Sequence, residues 1–140
     1  MIITLTKEQK AIECVKSFEK EYGSIERLKI AQEKTGSMKL LVDLENWEYY
    51  LDNPDEIVFE SKSIVTNKLT LTDLEIELLD FIKKEHPESI RELARMIQKD
   101  VSIIHPKIKE LEKQGLIELK DGVKNSKIPV INYDEISIAI

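Results

Sequence analysis

The chain has 140 residues, a formal net charge of −6 and a single cysteine. This length suits one or two small domains that fold around a core of their own. One cysteine excludes a framework of intramolecular disulfides, and no segment approaches the roughly 20 apolar residues that cross a bilayer. Residues 1–5 form a short apolar run that charged residues interrupt, unlike a secretory signal. We therefore expect a cytoplasmic protein without membrane contact.

The first part of the chain, residues 1–55, is predicted to be an N-terminal helical extension. Thr6-Lys7-Glu8-Gln9 has the pattern of a capping box, which would begin a helix that ends near Gly23. Ser24 would cap a second, short helix that ends at Gly36.

An apolar stripe at helical spacing follows in residues 38–51, and it contains the only tryptophan of the chain. Aromatic residues are enriched at protein interfaces, so the stripe is a candidate dimer contact. Packing of the same side chains on the C-terminal domain is the alternative. The residues assigned to the dimer interface are Leu40, Leu44, Trp47, Tyr50 and Leu51.

Residues 56–68 lack a helical stripe and are rich in β-branched residues, which predicts an extended linker or a strand. The remaining residues, 69–140, are predicted to form a separate domain.

Three helices are predicted at the start of that domain. Thr72 with Glu75, and Ser89 with Glu92, have the spacing of capping boxes for the first two. The third helix, residues 102–114, would follow a turn of three or four residues, with Ser102 or Asp100 as its N-cap. Gly115 would end it, since glycine accepts a left-handed backbone at little cost.

A β-hairpin is predicted after these helices. Residues 116–119 have strand character, Asp121-Gly122 is a strong turn signal, and Pro129 in the returning strand indicates an edge. A last strand would alternate Ile136, Ile138 and Ile140. The predicted fold class is mainly α with a small β-hairpin or sheet (α+β), arranged as a winged helix-turn-helix domain.

The segments S-I-R-E-L-A (89–94) and I-H-P-K-I-K-E-L-E-K-Q-G-L-I (104–117) resemble small archaeal and bacterial winged-helix regulators of the ArsR/MarR type. The resemblance is closest to predicted transcriptional regulators that are often associated with toxin–antitoxin pairs. It covers about residues 69–140 and includes the lysine-rich stretch 124–129 and Y-D-E-I at 133–136. It implies a homodimer that binds double-stranded DNA and regulates transcription.

In such domains the second helix of the helix-turn-helix lies in the major groove, and the wing reaches the flanking backbone. Carried over by position, the resemblance implies DNA contacts from helix 102–114, from the wing 118–131 and from the preceding helix. The residues concerned are Arg91, Arg95, Ser102, Ile103, His105, Lys107, Lys109, Lys120, Lys124, Asn125 and Lys127. Pro106 departs from the pattern, because relatives usually carry arginine or another polar residue there.

The overall charge of −6 opposes binding to nucleic acid, since like charges repel. Between Lys99 and Lys127, however, seven basic residues outnumber five acidic ones. The alternative function is an antitoxin-like protein-interaction module. Its acidic surface would bind a cognate toxin or another protein, with weak or no DNA binding.

Enzyme chemistry has little support in the sequence. The two histidines and one cysteine have no zinc-ligand spacing, and four glycines make no phosphate-binding loop. No nucleophile-elbow sequence is present. We therefore expect no catalytic residues, no metal and no cofactor.

Overall fold

The computed structural model describes residues 1–140 as an α+β protein with six helices, a three-stranded sheet and a two-stranded sheet. The predicted α+β class is thereby confirmed. The chain forms two compact units, residues 6–62 and residues 1–5 with 63–140. No helix has the length and apolar character needed to span a bilayer.

The chain begins with a strand, β1 (Ile2–Lys10), and the helix predicted to start at Thr6 is wrong. β1 is the central strand of the three-stranded sheet, and its apolar side chains Ile3 and Leu5 are buried. The first helix instead starts after Lys10, which makes no side-chain cap bond. The pairing of β1 with its neighbouring strands and the burial of its apolar side chains outweigh the local capping pattern. These contacts join residues distant in sequence, which a local pattern does not reveal.

The neighbours of β1 in this sheet are β2 (Ile57–Val65) on one side and β5 (Glu135–Ala139) on the other. The backbone bonds at both ends of β2 show that it runs antiparallel to β1. Thr66 N–H donates to the Met1 carbonyl (3.1 Å), and Ala11 N–H donates to the Glu56 carbonyl (2.8 Å). The extended segment predicted at 56–68 is thus mainly an edge strand of a sheet.

The unit of residues 6–62 contains α1 (Ala11–Tyr22), α2 (Ile25–Thr35) and α3 (Met38–Asp52). The predicted cap is present, because the Ser24 hydroxyl accepts a hydrogen bond from Arg27 N–H (3.2 Å). Gly36 ends α2 in the left-handed conformation, with φ 66°.

The stripe of α3 packs inside this same unit. Trp47 is 3% exposed, lies in a cluster with Val15 and Leu28, and stacks on Phe18 at a centroid distance of 5.7 Å. Leu40, Leu44 and Tyr50 pack against the cluster, whereas Leu51 is half exposed. A dimer contact through Trp47 is therefore contradicted by its burial, and the helices of the unit itself cover it.

The second unit contains α4 (Asp73–Glu85), α5 (Ile90–Ile97), α6 (Val101–Lys113), β3 (Glu118–Asp121) and β4 (Lys127–Val130). Each helix contributes a stripe of apolar side chains to one core. The fully buried members of that core with the largest side chains are Ile3, Leu78, Ile82, Leu93, Ile104, Ile108, Leu111 and Leu116.

The three helices begin at side chains that cap them. Thr72 and Glu75 form the predicted capping box of α4, and the Ser89 hydroxyl accepts from Glu92 N–H (3.0 Å) at the start of α5. Of the two predicted caps of α6, Asp100 is the one used, and it accepts from Ser102 N–H (2.8 Å). The third helix therefore runs from 101 to 113, not from 102 to 114.

The hairpin of β3 and β4 is antiparallel, with Leu119 opposite Pro129 and Asp121 opposite Lys127. Its connection is a five-residue loop, 122–126, with a short 3₁₀ turn, Val123–Asn125, and the predicted turn signal Asp121-Gly122 lies where β3 ends. β4 is an edge strand, as Pro129 predicts, although the proline side chain itself is buried.

Candidate nucleic-acid interface

Helices α5 and α6 follow each other in the chain across a three-residue turn. Gln98 adopts a left-handed conformation (φ 61°) at the end of α5, and Lys99 N–H donates to the Ala94 carbonyl (3.0 Å). On α6, Ile104, Ile108 and Leu111 are buried, as their spacing predicts. The side chains of Ser102, His105 and Lys109, on other faces of α6, are exposed.

A groove lies between α6, the start of α5 and the loop that joins β3 to β4. Its polar side chains include cations, hydroxyls, an imidazole and an amide, and it contains no carboxylate, although the chain has 27 Asp and Glu. We call it the basic groove. It is lined by Ser89, Ile90, Arg91, Val101, Ser102, His105, Pro106, Val123, Lys124, Asn125, Ser126 and Lys127. A cleft that is lined by charges of one sign concentrates their electric field.

The loop at one wall of the basic groove is held by its own hydrogen bonds. The Ser126 hydroxyl donates to the Val123 carbonyl (2.6 Å), and Gly122 N–H donates to the Ser126 carbonyl (2.9 Å). Lys124 and Asn125 both have a positive φ, 53° and 62°. Such a loop presents its side chains in a defined geometry, at a small cost in backbone strain.

The cations of this region differ in whether they are already paired. Lys127 forms an ion pair with Asp121 across the base of the loop, and this pair lowers the pKa of the Asp121 carboxyl. Arg91 and Lys124 line the same groove and form no ion pair. These two side chains are therefore available to neutralise an anionic ligand.

Of the predicted contact residues, the basic groove brings together Arg91, Ser102, His105, Lys124, Asn125 and Lys127. Arg95 and Lys120 are exposed without an ion pair, on α5 and β3, and do not line the groove. Ser89 lines it but was not predicted as a contact. The capping-box pattern at Ser89 is the sequence signal that could have identified it, because a capping residue lies at the start of its helix, and the start of α5 borders the groove.

Lys107, predicted to contact phosphate, is engaged elsewhere. Its Nζ lies 2.8 Å from Glu75 Oε1, and Glu75 is only 4% exposed. Both side chains line a second cleft, on another side of α6, together with Ile103 and Glu110. The phosphate role predicted for Lys107 is thus at odds with the structure, since leaving Glu75 unpaired would cost free energy.

The Glu75 carboxylate is held ionised by this arrangement. Burial raises its pKa, but hydrogen bonds from Lys107 and from the backbone N–H groups of Thr72 and Glu75 lower it, and the net pKa lies below the ordinary value. The carboxylate that completes the cap of α4 therefore also ties α4 to α6.

Ile103 and Lys109 are the two other predicted contacts on α6 that lie outside the basic groove. Ile103 is half exposed and lines the second cleft. Lys109 is exposed, with its Nζ 3.9 Å from Glu112 Oε1, a surface pair that contributes little free energy. Lys109 remains free to exchange this carboxylate for another anion.

Two features at the start of α6 act against a bound phosphate. Asp100 is exposed, and hydrogen bonds from the backbone and hydroxyl of Ser102 lower its pKa, so it is negatively charged. Pro106 lies inside the helix, which continues through it to Lys113. Because proline has no N–H, the Ser102 carbonyl has no helical donor and stays available as an acceptor.

A family model described as HVO_A0114 matches residues 70–138, which include the helices α4 to α6 and the β3–β4 hairpin. No curated protein and no solved structure matches the chain. No group of three or more metal-binding side chains is present in the structure.

Proposed function

We propose that this chain is a DNA-binding transcriptional regulator whose residues 69–140 form a winged helix-turn-helix domain. The observation that carries the proposal is the basic groove, which has no carboxylate in a chain of net charge −6. It lies between α6 and the β3–β4 loop, the two elements that a winged helix places in the major groove and on the flanking backbone.

The residues of the groove suit a duplex. Arg91 and Lys124 carry unpaired positive charge for phosphates, and Ser102, His105 and Asn125 offer donors and acceptors for base edges or backbone. Arg95, Lys109 and Lys120 are further exposed cations on α5, α6 and β3. The domain is small, so we propose a homodimer that binds two half-sites, since one module buries too little surface for selective binding.

Fluorescence anisotropy of a labelled duplex from the region upstream of the gene tests this function. We expect binding that weakens steeply with salt, because neutralised phosphates release counterions. A duplex of unrelated sequence should bind more weakly at the same ionic strength. Equal affinity for both duplexes would leave only non-specific binding, and no binding in low salt would overturn the proposal.

A second function is favoured by the distribution of acidic residues. Residues 6–62 contain nine Lys and Arg against thirteen Asp and Glu, whereas residues 63–140 contain twelve against fourteen. The more acidic N-terminal unit suits an antitoxin-like module that binds a basic protein partner such as a cognate toxin. A stoichiometric complex with the product of the adjacent gene, combined with no salt-dependent DNA binding, would favour this function.

A further inference from the structure

The free edge of β2 carries a self-complementary sequence. Residues 57–65 read I-V-F-E-S-K-S-I-V, and β2 is an edge strand because the sheet order is β2-β1-β5. Seven of its nine residues are exposed, which leaves a long and unprotected edge. Such an edge is a template for pairing with another strand.

The backbone groups of the odd-numbered residues point to the free edge. In an antiparallel ladder, hydrogen-bonded pairs alternate with non-hydrogen-bonded pairs. Thr66 and Glu56, which flank the strand, bond to Met1 and Ala11, the residues that flank β1. The even-numbered residues between them therefore direct their N–H and carbonyl groups at β1. The odd-numbered residues, from Ile57 to Val65, direct their N–H and carbonyl groups at the free edge.

An antiparallel pair of two β2 strands, with the two-fold axis at Ser61, uses all of these outward groups. Ser61 then faces Ser61 of the second copy, and Glu60 faces Lys62 of the second copy on the same side of the sheet. Ile57 faces Val65 in the same way. Opposite charges and apolar residues are thus paired across the axis, which is the favourable cross-strand arrangement.

Neighbouring registers are worse. A shift of the axis to Glu60 places two glutamates opposite each other, and a shift to Lys62 places two lysines opposite each other. Like charges at such positions destabilise a sheet. Charge therefore selects the register centred on Ser61.

Exposed apolar side chains add to the same contact. Ile57, Phe59 and Val65 are 46%, 66% and 78% exposed, and they share one face of the sheet. In the Ser61-centred register, Phe59 lies diagonally next to Val65 of the second copy, within reach of an aromatic ring. The pairing would shelter part of this apolar surface from water.

We propose that the chain forms a homodimer in which the β2 edges of two copies pair antiparallel about Ser61 and join their sheets. The paired β2 edges would be the interface of the homodimer that the proposed function requires. Only the role of this dimer in DNA binding rests on the proposed function. The dimer itself is tested without DNA.

Sedimentation velocity of the full chain over a concentration series tests the interface. We expect a reversible monomer–dimer equilibrium for the wild type. In the Lys62→Glu variant, residue 62 of each copy places a carboxylate opposite Glu60 of the other copy, so two pairs of like charges form. This variant should raise the dissociation constant of the dimer roughly tenfold or more. The double variant Glu60→Lys with Lys62→Glu restores opposite charges and should recover most of the lost affinity.

Ser61→Pro provides a second variant that spares the fold. Residue 61 directs its N–H away from β1, so proline there removes dimer hydrogen bonds and leaves the β1–β2 ladder intact. We expect a monomer with a circular dichroism spectrum like that of the wild type. A monomeric wild type, or a dimer unaffected by both Lys62→Glu and Ser61→Pro, would overturn the proposal. A dimer that does not bind DNA would overturn the proposed function alone.

Discussion

Lys107 and Glu75 form an ion pair that links α6 to the N-terminus of α4, with Nζ 2.8 Å from Oε1. The same Glu75 carboxylate accepts a hydrogen bond from Thr72 N–H (3.1 Å). One acidic side chain therefore caps one helix and fixes the position of another. This assigns Lys107 to the packing of α6 against α4, and the proposed DNA contacts rest on the cations of the basic groove.

Lys107→Met should destabilise the protein by about 2 kcal/mol, because it leaves a buried carboxylate unpaired. The cost is below that of a fully buried pair, since the Lys107 side chain is 39% exposed and water screens it. Lys109→Met on the same helix is the matched control, with an expected change within about 0.5 kcal/mol. Urea denaturation measures both, and equal effects would contradict the assigned role of Lys107.

The Glu75 carboxyl should make stability depend on pH. Its folded pKa lies below the ordinary value of 4.5. The stability it contributes is therefore present above the pKa of the unfolded chain and is lost as the pH falls through the folded pKa. We expect the difference in unfolding free energy between wild type and Glu75→Gln to shrink in acid. A difference that stays constant from neutral pH to below the folded pKa would be inconsistent with an ionised Glu75.

Pro106→Ala should stabilise the protein by about 1–2 kcal/mol, because an N–H at 106 can donate to the Ser102 carbonyl and complete the helix. Hydrogen exchange gives a direct readout, since the new amide at 106 should be protected from solvent. If that amide exchanges freely and stability does not rise, α6 is interrupted at this point for another reason.

Gly115→Ala should cost about 1–3 kcal/mol, because φ is +81° and an added Cβ would lie 3.1 Å from Ile64 Cδ1. Ile64→Val removes that methyl group, so the cost of Gly115→Ala should be smaller in an Ile64→Val background. A double-mutant cycle measured by denaturation separates the contact from the backbone strain. Independent, additive effects would mean that backbone conformation alone explains the loss.

The sequence predicts the second unit better than the first. Capping residues such as Ser89, the inward spacing of Ile104 and Ile108, and the glycine at 115 are local signals, and local signals determine helices. The strand at residues 2–10 depends on β2 and β5, which are distant in the chain, so the local pattern at Thr6 was misleading. Non-local pairing of this kind has no signature within one segment.

The candidate site was predictable only in part, for the same reason. The periodicity of α6 identifies its exposed face, but it does not show that Glu75, 32 residues earlier, binds Lys107. The Asp121-Gly122 signal likewise locates the hairpin, but it does not indicate the short 3₁₀ turn of the loop or the positive φ of Lys124 and Asn125.

The measurement that tests the basic groove most directly compares DNA affinity of Lys124→Glu and Lys113→Glu by fluorescence anisotropy. Both lysines are exposed and unpaired, and both variants change the net charge equally, but only Lys124 lines the groove. We predict that Lys124→Glu weakens binding roughly tenfold and reduces the salt dependence, whereas Lys113→Glu changes affinity by about twofold or less. Equal losses in the two variants, or no salt-dependent binding by the wild type, would contradict the account.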